Sequence, residues 1–431
     1  MPELPDERGG VHKRPHEKLS AQVKPVPART APWPPWPCFE QEEIDAVVSV
    51  LKSGQVNYWT GEQGRQFERE FAEFCGCQYA VALANGTVAL ELALYALGIG
   101  PGDEVVTTSR TFIASASAVV MRGATPVMAD VDPVSQNITA ETVRKVLSRR
   151  TRAIIAVHLA GWPCDMDPLL ELAREHDLKI IEDCAQAQGA IYKGRPVGSL
   201  GDVAAFSFCQ DKIMTTGGEG GMLTTNDRVT WEKAWAYKDH GKNYDTVFNQ
   251  QHPPGFRWLH ESFGTNWRMT ELQAAIGRSV LPKLATWVGI RRRNAAILAE
   301  CFKHIPALRV TEAAPDMLHS YYKYYVFVRP SQIRKGWGRD RIVSAVNAEG
   351  IPCLTGSCSE IYLEKAFTQM GLGPLNRLPV AEELGRTSLM LLVHPTLDEK
   401  DMGDACRAVE KVFKEASKHF SGTADGSPLL H

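Results

Sequence analysis

Residues 202–221 read DVAAFSFCQDKIMTTGGEGG, a strand-like apolar run followed within a few residues by a lysine, Lys212, and then by a glycine-rich stretch. Polar residues just beyond a strand carry weight in α/β proteins, because ligands there bind outside the carboxyl ends of the strands. A lysine in such a place is, taken alone, more often a solvated loop residue. Lys212 therefore becomes a candidate only if its surroundings supply complementary chemistry.

The chain around this stretch alternates between short β-rich runs and helical runs from Asn85 to Thr225. The β-rich runs are EVVTTS, PVMADVD, AIIAVHLAG, KIIEDCA, DVAAFSF and GGMLTT, and helical runs such as PLLELAREH lie between some of them. Strands that alternate with helices predict a mostly parallel sheet covered on both faces. We therefore expect an α/β fold in which Lys212 follows one strand of the sheet.

A carboxylate stands at the end of another of these runs. In KIIEDCAQAQGA (179–190), Asp183 follows four mostly apolar residues, at the expected carboxyl end of a central strand. Because side chains alternate between the faces of a strand, Asp183 or Glu182, but not both, can face the site of Lys212. A helix cap or a structural ion pair is the alternative role for this residue.

A third motif resembles a phosphate site. In ALANGTVALELALYALG (82–98), a strand-like run passes through Asn85, Gly86 and Thr87 into an apolar helix. Gly86 permits close approach of the backbone, Thr87 adds a hydroxyl, and the free N–H groups at a helix start attract an anion. The same turn serves elsewhere as a plain helix cap, so it is a weak signal alone.

Composition excludes several classes of protein. The chain has 431 residues, with 48 Lys and Arg against 50 Asp and Glu and a net charge of −2, so no global field favours nucleic acid or anionic lipid. No apolar run approaches the roughly 20 residues that span a bilayer, and the first 30 residues lack a signal-peptide core. The ten cysteines form no CxxC pair. We expect a cytoplasmic enzyme with reduced thiols and no bound metal.

The rest of the chain divides into four parts. Residues 1–35 are polar and are expected to form a flexible arm, and residues 36–285 the large domain. Strand-like YYKYYVFV and LMLLVHP, with two helical runs, predict a smaller α/β domain at 286–420, followed by a loose tail at 421–431. Within the large domain, apolar residues at helical spacing predict a first helix from Gln41 to Lys52.

Taken together, four motifs resemble those of the DegT/StrS-type sugar aminotransferases, a branch of the fold-type I pyridoxal-phosphate (PLP) enzymes. They are NGTVALELAL, EDCAQAQGA, SFCQDKIMTTGGEGG and GTNWRMTELQAAIG, in this order. The resemblance runs from about Pro37 to about Phe413. It implies a large domain on a seven-stranded-type sheet, a smaller C-terminal domain, PLP as cofactor and amino transfer to a keto-sugar.

The resemblance also implies a role for individual residues. Lys212 would carry PLP, Asp183 would face the pyridine nitrogen, and Gln186 would lie beside the ring's phenolic oxygen. The phosphate would be held by Gly86, Thr87 and Ser207, the ring would stack on Phe112, and Asn266 would reach the phosphate of a neighbouring subunit in a homodimer with shared sites. One position departs from the family, since Gln188 stands where many relatives have histidine.

The substrates implied by the resemblance are L-glutamate as amino donor and a keto-sugar, in our interpretation nucleotide-linked, of the 4-keto-6-deoxyhexose or 3-keto type. A keto-cyclitol or an aminobenzoate-type precursor is the alternative acceptor, and a non-catalytic regulatory protein of the same fold is a third hypothesis. Candidate substrate residues are Arg268, His319, Tyr321 and His394, each of which could equally be structural.

Overall fold

Short apolar runs form the strands of this protein, whose computed structural model describes residues 26–419. The expected tail at 421–431 and the first 25 residues of the expected arm lie outside this range. In chain order the strands are β1 (Tyr79–Leu83), β2 (Glu104–Thr108), β3 (Thr125–Ala129), β4 (Thr151–Val157), β5 (Lys179–Asp183), β6 (Ile191–Tyr192), β7 (Arg195–Pro196), β8 (Val203–Ser207), β9 (Gly221–Thr225), β10 (Leu308–Arg309), β11 (Met317–Leu318), β12 (Tyr324–Val328), β13 (Cys353–Leu354) and β14 (Ser388–Leu391).

Helices cover these strands. They are α1 (Gln41–Ser53), α2 (Gln63–Cys75), α3 (Gly86–Ala96), α4 (Ala114–Met121), α5 (Ala140–Arg144), α6 (Met166–Glu175), α7 (Arg228–Lys238), α8 (Tyr244–Phe248), α9 (Glu271–Val280), α10 (Leu284–Lys303), α11 (Arg339–Ala348), α12 (Lys365–Met370), α13 (Pro379–Thr387) and α14 (Glu399–Ala416). No helix within residues 26–419 combines the length and the apolar character needed to cross a bilayer.

The large domain is built on a seven-stranded sheet with the spatial order β1-β9-β8-β5-β4-β2-β3. Strands β2, β3, β4, β5 and β8 pair in parallel, whereas β9 runs antiparallel to β8 and β1. Ile154, Ile155, Ile180 and Ile181 are all fully buried, although neighbours in a strand face opposite sides. Both faces are therefore covered, which confirms the expected α/β fold with a mostly parallel sheet.

The small domain surrounds an antiparallel sheet of order β10-β12-β14-β13. Helices α10, α11 and α14 pack with it around a second apolar core that includes Leu298, Val326 and Val409. The boundary expected after residue 285 falls in the first turn of α10, which runs on into the small domain. A short sheet joins β11 to β6 and β7 of the large domain, and His319 follows directly after β11.

The segment 26–35 differs from the flexible arm expected at 1–35. The backbone N–H of Arg29 donates to the carbonyl of Glu349 at 3.0 Å. The Arg29 guanidinium pairs with Asp401 at 2.6 Å and with Asp404 at 2.9 Å, and its side chain is 8% exposed. These contacts hold the described part of the arm against the small domain, which a reading of polarity and proline content could not anticipate.

Helix α1 forms where its spacing predicted, and it ends before Gly54 in the left-handed conformation (φ 68°). Its apolar stripe nevertheless faces outward in the single chain, since Ile44, Val48 and Leu51 are 48%, 37% and 56% exposed. The neighbouring α2 behaves in the opposite way, with Phe67 fully buried.

Candidate active site

The turn between β1 and α3 forms an anion cradle. The side chain of Asn85 accepts the N–H of Val88 at 3.0 Å, which caps the helix. Within residues 26–419 the N–H groups of Gly86 and Thr87 are left for a ligand at the positive end of the helix. A Cβ on Gly86 would lie 2.6 Å from the Cβ of Ser207. Glycine is therefore what allows the helix start and the end of β8 to approach each other.

Asp183 stands at the same edge of the sheet, because β5 pairs in parallel with β8. It is 5% exposed, and its carboxylate accepts the hydroxyl of Ser115 at 2.7 Å and the N–H of Ala185 at 3.1 Å. Burial raises the pKa of Asp183, and the two hydrogen bonds and the charge of Lys212 only partly oppose this. A cation placed against this carboxylate would restore its charged form.

Glu182 faces the other side of β5, where hydrogen-bond donors of the protein already stabilise its charge. Its carboxylate lies 3.0 Å from Nε2 of His158 and accepts the N–H groups of Gly198, Leu200 and Gly201 at 2.7–2.9 Å. Burial works to raise the pKa of Glu182, but these partners, His158 first, hold it below its ordinary value. Glu182 is therefore a structural carboxylate, and Asp183 is the residue left to serve the site.

Next to Glu182, ligand atoms of His158, Glu182 and Cys184 lie within 4.8 Å of one another in the buried core. Hydrogen bonds already occupy this group, because Nδ1 of His158 accepts the N–H of Cys164 at 2.9 Å while Nε2 meets Glu182. The cluster is thus explained as a structural network that holds the strand ends together.

Lys212 lies in the loop after β8, with a side chain 16% exposed. Its Nζ is 3.7 Å from Oδ1 of Asp211 and 5.0 Å from the centroid of the Tyr322 ring. Its carbonyl accepts the indole N–H of Trp36 at 2.9 Å, so Trp36 braces the lysine loop. Both contacts of its Nζ are long, so the side chain is available to a ligand.

Phe112 and two glutamines complete the expected cofactor side. Phe112, four residues beyond the end of β2, is 67% exposed, which is unusual for a phenylalanine. Gln186 accepts the N–H of Ala160 at 2.8 Å through its amide oxygen, which leaves its NH₂ group as a donor. Gln188, the departure from the family, donates to the carbonyl of Ser207 at 2.6 Å and so supports the cradle.

Asn266 and Arg268 differ in their surroundings. Asn266 is exposed, and its backbone forms an isolated antiparallel β-bridge with that of Asp239. Arg268 donates to the same buried Asp239 at 2.6 Å, so its guanidinium is already paired. In the single chain Asn266 is available to another molecule, whereas Arg268 is tied to its own chain.

The expected substrate residues of the small domain are mostly buried. His319 stacks on Tyr321 with ring centroids 3.8 Å apart and accepts its N–H, and burial lowers the pKa of His319 to about 3. Burial also lowers the pKa of His394 to about 3; its Nδ1 lies 2.9 Å from Thr396, and its ring stacks near Trp36. Both histidines are therefore neutral at physiological pH.

Three residues near the site were not singled out from the sequence. They hold Asp183, brace the lysine loop or flank Lys212 itself, and they are Ser115, Trp36 and Asp211. Asp211 could have been noticed as the neighbour of the lysine. Ser115 and Trp36 come from distant segments, and no local pattern distinguishes them from ordinary helix and loop residues.

The assembled residues fit PLP. Gly86 makes a cradle for a phosphate, Phe112 presents a free aromatic face, and Asp183 offers a buried carboxylate short of a cation. Lys212 lies near enough to Asp183 for its charge to lower that residue's pKa. An anion, a flat ring with a protonatable nitrogen and an aldehyde would each find a complementary group.

Comparison with known proteins agrees with this geometry. The sequence profile of the DegT/DnrJ/EryC1/StrS aminotransferase family matches residues 37–410. GDP-perosamine synthase of Caulobacter vibrioides is 38% identical over 392 residues, covering 88% of this chain and 97% of that protein. L-glutamine:2-deoxy-scyllo-inosose aminotransferase of Streptoalloteichus tenebrarius is 34% identical over 90% of this chain and 96% of its own length.

Solved structures show the same fold. The crystal structure of an aminotransferase from Psychrobacter cryohalolentis is 56% identical to this chain, with a TM-score of 0.88, and the match covers 89% of this chain and 99% of the other. The two folds therefore correspond over both domains.

Proposed function

This chain belongs to the DegT/DnrJ/EryC1/StrS aminotransferase family and is a PLP-dependent aminotransferase, and we propose that it moves an amino group from L-glutamate to a nucleotide-linked keto-sugar. The observation that carries the proposal is the convergence of three groups at one edge of the sheet. Lys212 after β8, Asp183 at the end of β5 and the Gly86 cradle at the start of α3 meet there.

Bound PLP would supply the electron sink that stabilises the carbanion formed when a proton leaves the substrate carbon. Asp183 would keep the ring nitrogen protonated, and Ser115 would orient that carboxylate through its 2.7 Å hydrogen bond. The free N–H groups of Gly86 and Thr87, with the hydroxyl of Ser207, would hold the phosphate. Gln186 would donate its NH₂ group to the ring's phenolic oxygen.

Lys212 would attach the cofactor and afterwards act on the substrate. Its amine would lie beside the reacting carbon of the substrate, where it could take up and return a proton. Asp211, whose Oδ1 lies 3.7 Å from Nζ of Lys212, would help to position the amine there.

The acceptor in this proposal is a nucleotide-linked keto-hexose, such as a 4-keto-6-deoxy or 3-keto sugar. A relative 38% identical to this chain is named for GDP-perosamine, a nucleotide-linked amino sugar. A diphosphate also offers remote binding energy that can orient a small ketone against the cofactor.

A keto-cyclitol is the second candidate acceptor, favoured by the relative named for 2-deoxy-scyllo-inosose. An aminobenzoate-type precursor is a third acceptor of the same kind. A regulatory protein without turnover is disfavoured, because Lys212 and Asp183 are both present at a site whose residues fit PLP.

The test uses the purified protein converted to its pyridoxamine phosphate form with L-glutamate. Reoxidation of that form is then followed spectroscopically with a nucleotide-linked keto-sugar and with an unphosphorylated keto-cyclitol. We expect faster reoxidation by the nucleotide-linked sugar. Faster reoxidation by the keto-cyclitol would transfer the proposal to the second candidate, and a lack of any pyridoxamine phosphate would contradict L-glutamate as the donor.

We further propose a homodimer with shared active sites. Two surface features support it: the exposed apolar stripe of α1 and a loop with three exposed aromatic rings, Phe256, Trp258 and Phe263, at 78%, 84% and 95% exposure. Such apolar surface is typical of a contact with another molecule. Asn266 follows this loop and is exposed, as a residue donated to a neighbouring site would be in one chain.

Mixing inactive subunits tests the shared site. Lys212→Ala and Asn266→Ala proteins, dissociated and reassembled together, should regain activity, because each mixed dimer holds one site with both residues intact. The two variants reassembled separately are the controls. No recovery in the mixture, with mixed dimers shown by native mass spectrometry, would contradict a shared site.

A cytoplasmic location is our inference from cysteine chemistry. All ten cysteines are free thiols in the structure, and Cys75, Cys164 and Cys184 are fully or almost fully buried. Unpaired cysteines are typical of proteins from reducing compartments. Fractionation of the source cells would test this location.

A further inference from the structure

A second lysine, Lys323, lies beside Lys212. Both ammonium groups lie near the ring of Tyr322, with Nζ 5.0 Å from its centroid for Lys212 and 4.6 Å for Lys323. Both also flank Asp211, whose Oδ1 is 3.7 Å from Lys212 and whose Oδ2 is 4.0 Å from Lys323. The Tyr322 hydroxyl donates to Asp211 and fixes the carboxylate between the lysines.

Lys323 is mostly enclosed, with a side chain 15% exposed. Burial lowers its pKa to about 8, Asp211 opposes this effect, and the charges of Arg291 and Lys212 add to it. At neutral pH the ammonium form still predominates. A mostly enclosed lysine that still reaches solvent is suited to binding an anionic group of a ligand that enters the site.

Arg291 adds a third positive charge behind the lysines. It is 1% exposed, and its Nη1 donates to the carbonyls of Tyr321 and Tyr322 at 3.3 and 3.1 Å. Its Nε and Nη2 have no hydrogen-bond partner within residues 26–419. Three cations thus face one carboxylate, Asp211, and this surplus of positive charge in a poorly solvated place favours one more anion.

We propose that Lys323 binds the α-carboxylate of the amino donor, with Arg291 supporting it electrostatically. This inference rests on the proposed function only in that the donor is an α-amino acid. The donor nitrogen would react where the Lys212 amine lies, and the carboxyl carbon of an α-amino acid is two bonds from that nitrogen. A cation that shares the Tyr322 ring with Lys212 is therefore placed to meet it.

The diphosphate of a nucleotide-linked sugar is the competing anion. It is separated from the reacting ketone by atoms of the sugar ring, so it binds farther from Lys212 than a donor carboxylate does. The position of Lys323, close to the lysine that carries the cofactor, therefore favours the carboxylate.

The experiment measures the first half-reaction in single turnovers of the PLP-loaded protein. L-Glutamate and L-glutamine serve as donors, and the α-amide of L-glutamate, which lacks the α-carboxylate, is the matched probe. In Lys323→Met, the donor concentration that gives half the maximal rate should rise roughly tenfold to a hundredfold for both amino acids, the loss expected for one charge-assisted hydrogen bond. For the α-amide, the concentration that gives half the maximal rate should be the same in Lys323→Met and in the unchanged protein.

Lys145→Met is the control for loss of a lysine, since Lys145 is a surface residue of which 69% of the side chain is exposed, and it should behave as the unchanged protein. Lys323→Arg, which keeps the charge, should recover part of the donor affinity. Inhibition by inorganic pyrophosphate should be the same in all variants. Thermal melts and borohydride fixation of PLP on Lys212 show that each variant is folded and loaded.

Three results would overturn the proposal: unchanged affinity for the amino acids in Lys323→Met, an equal loss for the α-amide, or a loss confined to pyrophosphate. The last result would assign Lys323 to the diphosphate. A wrong acceptor in the proposed function leaves this test intact, because the first half-reaction contains no acceptor.

The pH dependence provides a second readout. As pH rises through about 8, Lys323 loses its proton, so the affinity for the donor should fall. In Lys323→Met this pH dependence should be absent. A bound carboxylate moves the midpoint upwards, because it favours the charged lysine. The charged and titratable groups that face Lys323 are Asp211, Lys212, Arg291, Tyr322 and His394.

Discussion

The two faces of β5 carry neighbouring carboxylates with opposite fates. On one face, Glu182 is met by His158 and three backbone N–H groups, and its pKa is held below the ordinary value. On the other face, Asp183 has a hydroxyl and one N–H group, and burial raises its pKa. The protein stabilises the charge of Glu182 by itself but leaves that of Asp183 for a ligand to stabilise. Surroundings, more than residue type, separate a structural acid from one that serves the site.

The largest effect is expected on the Asp183 face, at Lys212. Lys212→Ala should abolish turnover, because Lys212 is the residue proposed both to carry the cofactor and to move the proton. Borohydride reduction of the unchanged protein, followed by peptide mapping, should find PLP on Lys212. A label on Lys193 or Lys238 would show that the assignment is wrong.

Replacing Asp183 and Glu182 by their neutral isosteres should separate an effect on catalysis from an effect on stability. Asp183→Asn should slow the proton-transfer half-reaction on the order of a hundredfold or more, because the ring nitrogen loses its anionic partner. It should cost little stability, since the buried site already disfavours the charge. Glu182→Gln should lower the free energy of unfolding by on the order of 3 kcal/mol, because a glutamine has one acceptor oxygen in place of two and leaves buried N–H donors without a partner.

Single-turnover kinetics and urea unfolding, measured on both variants, give this comparison. The interpretation fails if Glu182→Gln proves catalytically dead at full stability while Asp183→Asn retains normal rates. That pattern would exchange the roles of the two faces.

A smaller effect is expected at the phosphate cradle. Gly86→Ala places a methyl group 2.6 Å from the Cβ of Ser207, so the cradle must open and PLP should bind roughly tenfold to a hundredfold more weakly. Gly289→Ala is the matched control, because a Cβ at that helical position meets nothing within 4 Å. Cofactor titration followed by absorbance compares them, and equal PLP affinities would remove Gly86 from the site.

The smallest effect concerns acid stability, where the two acids should act with opposite sign. The lowered pKa of Glu182 stabilises the fold above the unfolded value of 4.5, and this is lost as pH falls through the folded pKa. The raised pKa of Asp183 destabilises the fold as pH rises above 3.8. In the cofactor-free protein, Glu182→Gln should therefore flatten the acid loss of stability and Asp183→Asn should steepen it, as read from unfolding curves between pH 3 and pH 6.

Much of the fold was predictable, because the signals are local. Six β-rich runs became six strands of the seven-stranded sheet, and α14 spans the helical run recognised from Glu399 to Ala416. The family, the cofactor and the class of reaction followed from four motifs, each continuous in sequence. Alternation of side chains along β5 narrowed the acid to Asp183 or Glu182, but it could not choose between them.

That choice depended on contacts from distant segments. Gly198, Leu200 and Gly201 turn their N–H groups towards Glu182, and Ser115 comes from another helix to meet Asp183. The same holds for α1, whose apolar stripe predicted a helix but not which side would face outward. The spacing of apolar residues along a helix or strand shows which residues share a face. Which other segment packs against that face is decided only by the tertiary structure.

The sequence by itself determined the α/β fold and the family and predicted Lys212 as the lysine of the site, since short-range patterns and continuous motifs encode all three. Only the tertiary structure decided which acid is free, that the segment 26–35 is bound, and that Lys323 stands beside Lys212. Each of these depends on groups far apart in the chain whose charges and hydrogen bonds act over a few ångströms. Such distances exist only once the chain has folded.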